Sequence, residues 1–447
     1  MNKTIGFISL GCAKNLTDTE TMLGILSSDG FTITANEKEA DVLVVNTCAF
    51  IDSAKEESIN TILDMAEYKN DRCELLVVTG CLAQRYENEI KEQIPEVDII
   101  LGTTAYDKIS EAIKEYFKNK EKISVVLDEN EPVSYELPRI QSTPSYSAYI
   151  KIADGCDNFC TYCIIPKLRG KFRSRPMESI ISEAKTLAKS GVKELILVAQ
   201  DTACYGKDTD TPGLHILIRE LSKIDGIEWI RLQYCYPENI TDELIEEIRT
   251  NKKVVKYLDM PLQHISDNIL KKMGRRSRQK AVEELIIKLR EKIEDLTIRT
   301  SLIVGFPGET EADFETLKTF IEKYPIDKVG VFTYSKEEGT PAYNYDGQID
   351  EDVKNERRDI LMTLQQKISA ELNMKRIGTK RNIIIEGYDE EELCYVGRCD
   401  FDTPDVDGLA YVYSEDELFA GDIVCAEIVD CDEYDVVAKV VTSCQNS

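Results

Sequence analysis

The sequence predicts a multidomain α/β protein: an N-terminal parallel α/β domain over residues 1–130, a partial (β/α)6 barrel over 145–376 and a small C-terminal β-barrel over 377–445. Three observations carry this. Apolar runs of strand length alternate with helical patterns as far as residue 349, the order that builds parallel sheets covered by helices. A polar stretch containing Pro132, Pro138 and Pro144 interrupts that alternation and marks a linker at 131–144. Beyond a long amphipathic helix at 351–376 the pattern shortens to brief strands separated by Gly, Asp and Pro. At 447 residues the chain is also too long for one core, at roughly 150 residues per domain.

In the first segment the expected strands are 5–10, 41–46, 74–79 and 97–101, with helices at 18–28, 53–68 and 83–94. The second segment repeats the alternation more regularly. Its strands are expected at 148–152, 194–199, 229–232, 255–260, 297–303 and 328–332, with helices at 177–190, 213–223, 241–251, 281–293 and 310–324. Reactive groups of such a barrel belong at the carboxyl ends of its strands. The third segment offers five short strands, 382–386, 394–398, 410–414, 423–429 and 435–441, enough for a barrel of the oligonucleotide-fold (OB-like) kind.

Hydrophobic residues at 42% and charged residues at 31% describe a soluble globular protein and set aside disorder, collagen and disulfide miniproteins. No apolar run approaches the roughly 20 residues of a membrane span, and the chain starts directly on a strand-like segment without a signal-peptide pattern, so a cytoplasmic protein is expected. With 55 Lys and Arg against 82 Asp and Glu the net charge is −27. Most of this surface repels phosphate backbones and anionic membranes. No membrane or DNA partner is expected, and a basic protein partner is. The 14 cysteines point, in a reducing compartment, to metal or redox chemistry rather than to a secreted disulfide framework.

Cys156, Cys160 and Cys163 form C-x3-C-x2-C in the loop after the first barrel strand. Thiolates so close invite a soft metal or an iron–sulfur cluster. Three ligands on a four-iron cube leave one iron open for a substrate. The alternative is structural zinc, which prefers a closed set of four from paired Cys or Cys/His motifs; His215 and His264 are not beside the loop. Cys204 and Cys235 fall near strand ends and could supply a fourth position, though unpaired cysteine is usually a small buried hydrophobe. The run from Asp154 through Pro166 resembles the cluster loop of radical S-adenosylmethionine (SAM) enzymes. The resemblance implies that SAM chelates the open iron and that Tyr162 packs near its adenine. Gln200, Gln263, Val304 and Gly305, at the ends of the second, fourth and fifth strands, are further SAM-pocket candidates; taken singly, each is equally an ordinary turn residue.

Cys12, Cys48 and Cys81 are distant in sequence but alike in context, each following a predicted strand and a small turn residue. In a parallel sheet those positions share the carboxyl edge, where open α/β sheets bind ligands. The competing reading is three buried structural cysteines. Gly11–Asn15, Asn46-Thr47-Cys48 and Thr79-Gly80-Cys81 resemble the three cluster-binding patches of the methylthiotransferase family, whose members join such a domain to a radical SAM barrel and a TRAM domain. The match covers essentially the whole chain, in order. It implies two 4Fe–4S clusters and two SAM per turnover, one cleaved to a hydrogen-abstracting radical and one donating methyl, with the N-terminal cluster presenting sulfur and an electron donor feeding both. The cofactors carry the difficult chemistry while the protein positions and shields them.

Two branches of the family compete: tRNA adenosine enzymes, and the RimO type, which modifies an aspartate β-carbon in small-subunit ribosomal protein twelve, on or off the ribosome. Lys14, the stretch Tyr234-Cys235-Tyr236-Pro237, Gln263-His264 and Asp432-Glu433-Tyr434-Asp435 resemble the protein-modifying branch. Charge agrees: from Arg376 onward 5 Lys and Arg face 18 Asp and Glu, a net −13, which suits a basic ribosomal protein better than RNA. One local exception is the stretch 167–175, whose five cations could meet RNA phosphate, the SAM carboxylate or the substrate. A non-enzymatic iron–sulfur electron carrier is the remote alternative, and carriers usually close their clusters with four cysteines.

Overall fold

The computed structural model of the protein describes residues 3–210 and 212–441. Its first sheet has six parallel strands, β1 (Thr4–Ser9), β2 (Thr32–Thr34), β3 (Val42–Thr47), β4 (Leu75–Gly80), β5 (Ile99–Leu101) and β6 (Ile123–Val125), in the spatial order β2-β1-β3-β4-β5-β6. β3 and β4 are buried throughout, as their unbroken apolar runs require when both faces are covered. Helices Ala13–Ser28 and Ile109–Asn119 cover one face; Asp52–Glu67, Cys81–Arg85 and Glu87–Gln93 cover the other.

Two local expectations are corrected. The helix expected at 18–28 begins at Ala13, because Cys12 takes the extended backbone of a cap. The helix expected at 83–94 is two, broken at Tyr86 (φ −127°, ψ 39°) with no glycine or proline to announce the break. The short edge strands β2 and β6 went unanticipated, since three residues carry no readable period.

The second sheet is the predicted partial (β/α)6 barrel. β7 (Ser147–Lys151) is followed by a small hairpin, β8 (Ala153–Asp154) with β9 (Arg173–Ser174), and then by β10 (Glu194–Val198), β11 (Trp229–Leu232), β12 (Val254–Asp259), β13 (Thr297–Val304) and β14 (Lys328–Thr333). The barrel strands run parallel in the order β14-β13-β12-β11-β10-β7, each within one residue of the expected bounds.

Helix Glu351–Met374 leads to a closed barrel of β15 (Lys380–Asp389), β16 (Cys394–Cys399), β17 (Ala410–Tyr413), β18 (Ile423–Cys431) and β19 (Val436–Val440), closed by a parallel pairing of β17 with β19. This domain packs at the amino ends of β10, β11 and β14, where Glu194 meets Arg398, Trp229 packs with Ile384, and Lys328 meets Asp402. The segment 131–144 forms no regular element but is strapped down: Arg139 pairs with Glu20 and Glu183, and Ile140 N–H donates to Glu20 O at 3.0 Å. It thereby ties helix Ala13–Ser28 to barrel helix Met177–Lys189. No helix among the described residues is long and apolar enough to cross a membrane.

Candidate cluster-binding centre

Three neighbouring strands of the first sheet, β1, β3 and β4, deliver Cys12, Cys48 and Cys81 to one edge. Cys12 caps helix Ala13–Ser28, Cys48 follows β3 directly, and Cys81 opens a helix directly after β4. The turn at Gly11 has φ +87°, and a Cβ there would lie 2.9 Å from Cys48 Cβ, so only glycine lets the two cysteine segments close up. Asn15 Nδ2 donates to Leu10 O (3.0 Å) and Thr47 O (2.8 Å), and Thr47 Oγ1 donates to Thr79 O (2.6 Å), so the three strand ends are laced to one another. Cys12 is exposed, Cys48 partly and Cys81 fully buried, which does not match three structural core cysteines.

The thiols feel one another. Burial pushes Cys48 up to about 11, helped by the Cys81 and Cys12 charges. Loss of hydration also pushes Cys12 up, but Lys14, Arg169 and the backbone N–H groups of Asn15 and Lys14 outweigh it and bring that thiol below its ordinary value. Burial raises Cys81 against the pull of Arg169.

Cys156, Cys160 and Cys163 converge in the loop between β8 and the short helix Ile165–Arg169. Cys163 N–H donates to Cys160 O at 3.0 Å, folding the C-x2-C turn, and Phe159 takes a left-handed backbone (φ +49°) between the first two cysteines. Asn158 Nδ2 bridges Cys156 Sγ (3.5 Å) and Asp201 Oδ2 (3.0 Å). Burial pushes Cys156 up to about 11 and raises Cys163 further, with the neighbouring thiolates adding to both. Cys235 is buried in the barrel core, and Cys204 is half-buried beside it.

The residues present suit iron–sulfur clusters on two counts. The donor sets are thiols alone. Backbone N–H groups aim at the sulfurs of Cys12, Cys48, Cys156 and Cys163, the kind of hydrogen bonding that tunes such clusters.

The other predicted site residues lie on the barrel's carboxyl edge but play unequal parts. Tyr162 meets the Phe306 ring edge to face at 6.5 Å. Gln200 Nε2 donates to Asp154 Oδ1 (2.9 Å), while its Oε1 has no partner among the described residues. Gln263 has a left-handed backbone (φ +71°) and bridges to β13 at Leu302. Val304 is buried, its carbonyl accepting from Tyr334 N–H (2.9 Å). Gly305 (φ +73°) is explained internally: a Cβ would strike the Lys354 stem, and its N–H donates to Glu309 Oε2 at 2.7 Å. The Tyr162 hydroxyl, Thr202 Oγ1 and two nitrogens of Arg275 also lack protein partners there, leaving unmatched polar groups where a polar ligand such as SAM would lie.

Sequence reasoning missed the group that joins the two triads. Arg169, six residues past Cys163 and 3% exposed, donates to Asp18 Oδ2 (2.7 Å), Asn15 Oδ1 (2.7 Å) and Cys81 Sγ (3.8 Å), and reaches Asp154 Oδ2 at 3.4 Å. Lys151 completes the knot through Asp18 and Asp154. Across the edge, Glu337 beyond β14 takes Lys55 and Arg85, both at 2.9 Å. The carboxyl edges of the two sheets therefore face each other. The signal was present, since Asn15 and Asp154 stand in the motifs already noted. Of the five cations in the stretch 167–175, Arg169 is buried, Arg175 pairs with Glu183, Lys167 and Arg173 bond to backbone carbonyls, and Lys171 is exposed.

Three family models match the chain: Uncharacterized protein family UPF0004 over residues 4–102, the Radical SAM superfamily over 150–321 and the TRAM domain over 377–441. Among solved structures, the radical SAM methyltransferase TsrM from Kitasatospora setae, with tryptophan and a SAM analogue bound, superposes with a TM-score of 0.57 at 14% identity, covering 74% of this chain and 72% of that one. At that identity it shows the fold alone. A Clostridium botulinum protein named ribosomal protein uS12 methylthiotransferase RimO is 54% identical over 438 residues, 98% of each chain. Proteins of the same name from Acetivibrio thermocellus (51%, 99% of each chain) and Geobacter sulfurreducens (50%, 98% of each chain) match equally far. With such identity from end to end and two cysteine triads meeting at its centre, the chain belongs to the RimO family of radical SAM methylthiotransferases.

Proposed function

We propose that this chain attaches a methylthio group to the β-carbon of an aspartate in ribosomal protein uS12, with Cys156, Cys160 and Cys163 holding one 4Fe–4S cluster and Cys12, Cys48 and Cys81 a second. The observation that carries this is the facing of the two cysteine-bearing sheet edges, where Arg169, six residues past Cys163, reaches Cys81 Sγ and the Asp154 carboxylate ahead of Cys156. When bound, the clusters and SAM supply hydrogen abstraction, sulfur and methyl. The chain's own residues supply place and shielding. Arg169 and Lys151, between Asp18 and Asp154, keep the two cysteine loops in register. Tyr162, Gln200 and Gln263 line the side of the barrel where SAM docks, Val304 and Gly305 back it from the buried end of β13, and the aromatic cluster of Phe306, Tyr334 and Tyr345 excludes water behind Tyr162.

The last domain favours a basic partner. Of its few cations, Arg376, Arg381 and Arg398 are spent on barrel carboxylates Asp327, Asp295 and Glu194. Glu390, Glu391, Glu392, Glu415, Asp416 and Glu417 stand exposed, a field that attracts a basic ribosomal protein, free or on the ribosome, and repels RNA. The reaction also calls for an electron donor.

Anaerobically reconstituted protein should hold about eight irons. With SAM, reductant and uS12 it should add a mass equal to SCH2 to one aspartate. Modification of a tRNA anticodon stem-loop with uS12 untouched overturns the substrate assignment.

A further inference from the structure

Lys14 follows Cys12 by two residues, is 7% exposed, and holds its ammonium 3.4 Å from the centroid of the Tyr234 ring at the end of β11. It therefore spans the seam between the first triad and the barrel. The other cations at this seam have carboxylates: Lys151 and Arg169 share Asp18 and Asp154, and Arg299 holds Asp259 at 3.0 Å. Lys14 has none within ion-pair distance among the described residues. Asp259, which acts on it from farther off, is occupied by Arg299 and by the Tyr234 N–H at 3.0 Å.

A largely buried lysine without a carboxylate partner is costly. Contact with an aromatic face recovers only part of that, about 2 kcal/mol when desolvated. Tyr234 is itself held off its preferred backbone, at φ +60°, by its N–H to Asp259 and its carbonyl from Thr202 N–H at 2.9 Å. Strain of this kind persists where the surroundings over-determine a position, and it clusters at ligand sites. The protein thus keeps at the seam a lysine that no carboxylate pairs among the described residues, and fixes an aromatic ring beneath it.

We propose that Lys14 is the carboxylate receptor of this site: its ammonium binds the side-chain carboxylate of the acidic residue to be modified and fixes that residue beside the first cysteine triad. The proposal rests on the substrate reading above. It gives the enzyme a way to select an aspartate over an amide or an apolar side chain, since only the carboxylate supplies the missing counter-ion.

The test measures dissociation constants, by fluorescence anisotropy on the reconstituted full chain, for a labelled uS12 peptide carrying the target aspartate and for the same peptide with asparagine there. Wild type should prefer the aspartate peptide about thirtyfold or more, the loss expected for one partner of a desolvated charge pair. Lys14→Met, nearly isosteric and uncharged, should bind both peptides alike, at the wild-type level for asparagine; Lys14→Arg should recover part of the preference. Iron content matched to wild type controls for folding. A wild-type enzyme indifferent to the Asp-to-Asn change overturns the proposal even if Lys14→Met fails to fold. So does a Lys14→Met protein that keeps the preference or weakens both peptides equally. Failure of wild type to bind either peptide while it modifies a tRNA stem-loop sinks the substrate reading and the proposal together, whereas peptide modification with no Asp preference sinks the proposal alone.

Discussion

Replacing Glu194 by glutamine removes one charge from the junction between the barrel and the last domain. Glu194 is fully buried, as is Arg231, whose Nε lies 2.8 Å from Glu194 Oε1; Arg398, equally inaccessible, reaches both carboxylate oxygens from the last domain. Ser147 Oγ adds a third donor at 3.1 Å. Against the cost of burial, the two guanidinium charges hold the Glu194 carboxyl down from 4.5 to about 2. That depression corresponds to about 3 kcal/mol at pH 7, and leaving buried cations without their anion costs about 3–5 kcal/mol, so the two estimates agree. Because the folded value is depressed, the contribution is complete above pH 4.5 and drains away as the pH falls from there toward 2. The assay is built in: Trp229 is the only tryptophan and packs with Tyr146, Val255, Tyr257 and Ile384 at this junction. Urea unfolding followed by its fluorescence at pH 7 should show Glu194→Gln weaker by about 3 kcal/mol or more, and the gap should narrow below pH 4.5. A loss under about 1 kcal/mol at pH 7, or a gap that does not narrow in acid, refutes the reasoning.

Further expectations concern the triads, a buried histidine and the acidic surface. Cys160→Ala should abolish 5′-deoxyadenosine formation, whereas Cys48→Ala should still cleave SAM but yield no methylthio product, with iron falling to about half in each; full product from the Cys48 variant would remove the first triad from the mechanism. His264 accepts the Ser266 N–H on Nδ1 at 3.0 Å, and burial holds it neutral, down to about 3. Its unfolded form takes up a proton below 6.5, so stability should fall by about 1.4 kcal/mol per pH unit from there toward 3; acid titration of stability should lose that segment in His264→Gln. Reversing Glu390, Glu391 and Glu392 to lysine should slow uS12 association about tenfold at low salt and little at high salt, which stopped-flow binding at two ionic strengths would reveal.

What the sequence could say followed from where the information was local. The barrel strands were legible because each is an apolar run closed by a turn residue. Cys12, Cys48 and Cys81 were legible because one residue spacing after a parallel strand fixes an edge. The break at Tyr86 and the edge strands β2 and β6 were not, since partners distant in sequence decide them. The parallel closure of β17 on β19 likewise has no local signature. At the site, glycine at 305 suggested close approach of a ligand, but the structure fills that space with Lys354 from helix Glu351–Met374. The roles of Arg169 and Lys14 were legible only in part: Asn15 and Asp154 mark the motifs that Arg169 bonds, but which carboxylates each cation meets is set by partners distant in sequence. One of two adjacent cations finds buried carboxylates and the other finds none, a difference that appears only when the sheets are brought together.

The position of the last domain separates two tasks that the sequence alone would merge. Its acidic barrel sits at the amino ends of the strands, while the cysteines gather at the carboxyl edge. Barrel strands of 4 to 8 residues put roughly 13–26 Å between the two ends. An acidic face at that distance cannot touch the reacting carbon; it acts through long-range attraction and through remote binding energy on a folded basic partner. Chemical selection must then be made at the seam. The same domain nevertheless reaches inward: Asp407 accepts from Tyr257 Oη at 2.7 Å and lies 3.8 Å from Arg299, which holds Asp259, which in turn fixes the Tyr234 backbone under Lys14. The contacts are continuous from the acidic domain to Lys14 beside the first triad. Recognition of a basic protein and recognition of an acidic side chain are opposite electrostatic problems, and the chain solves them at opposite ends of one barrel.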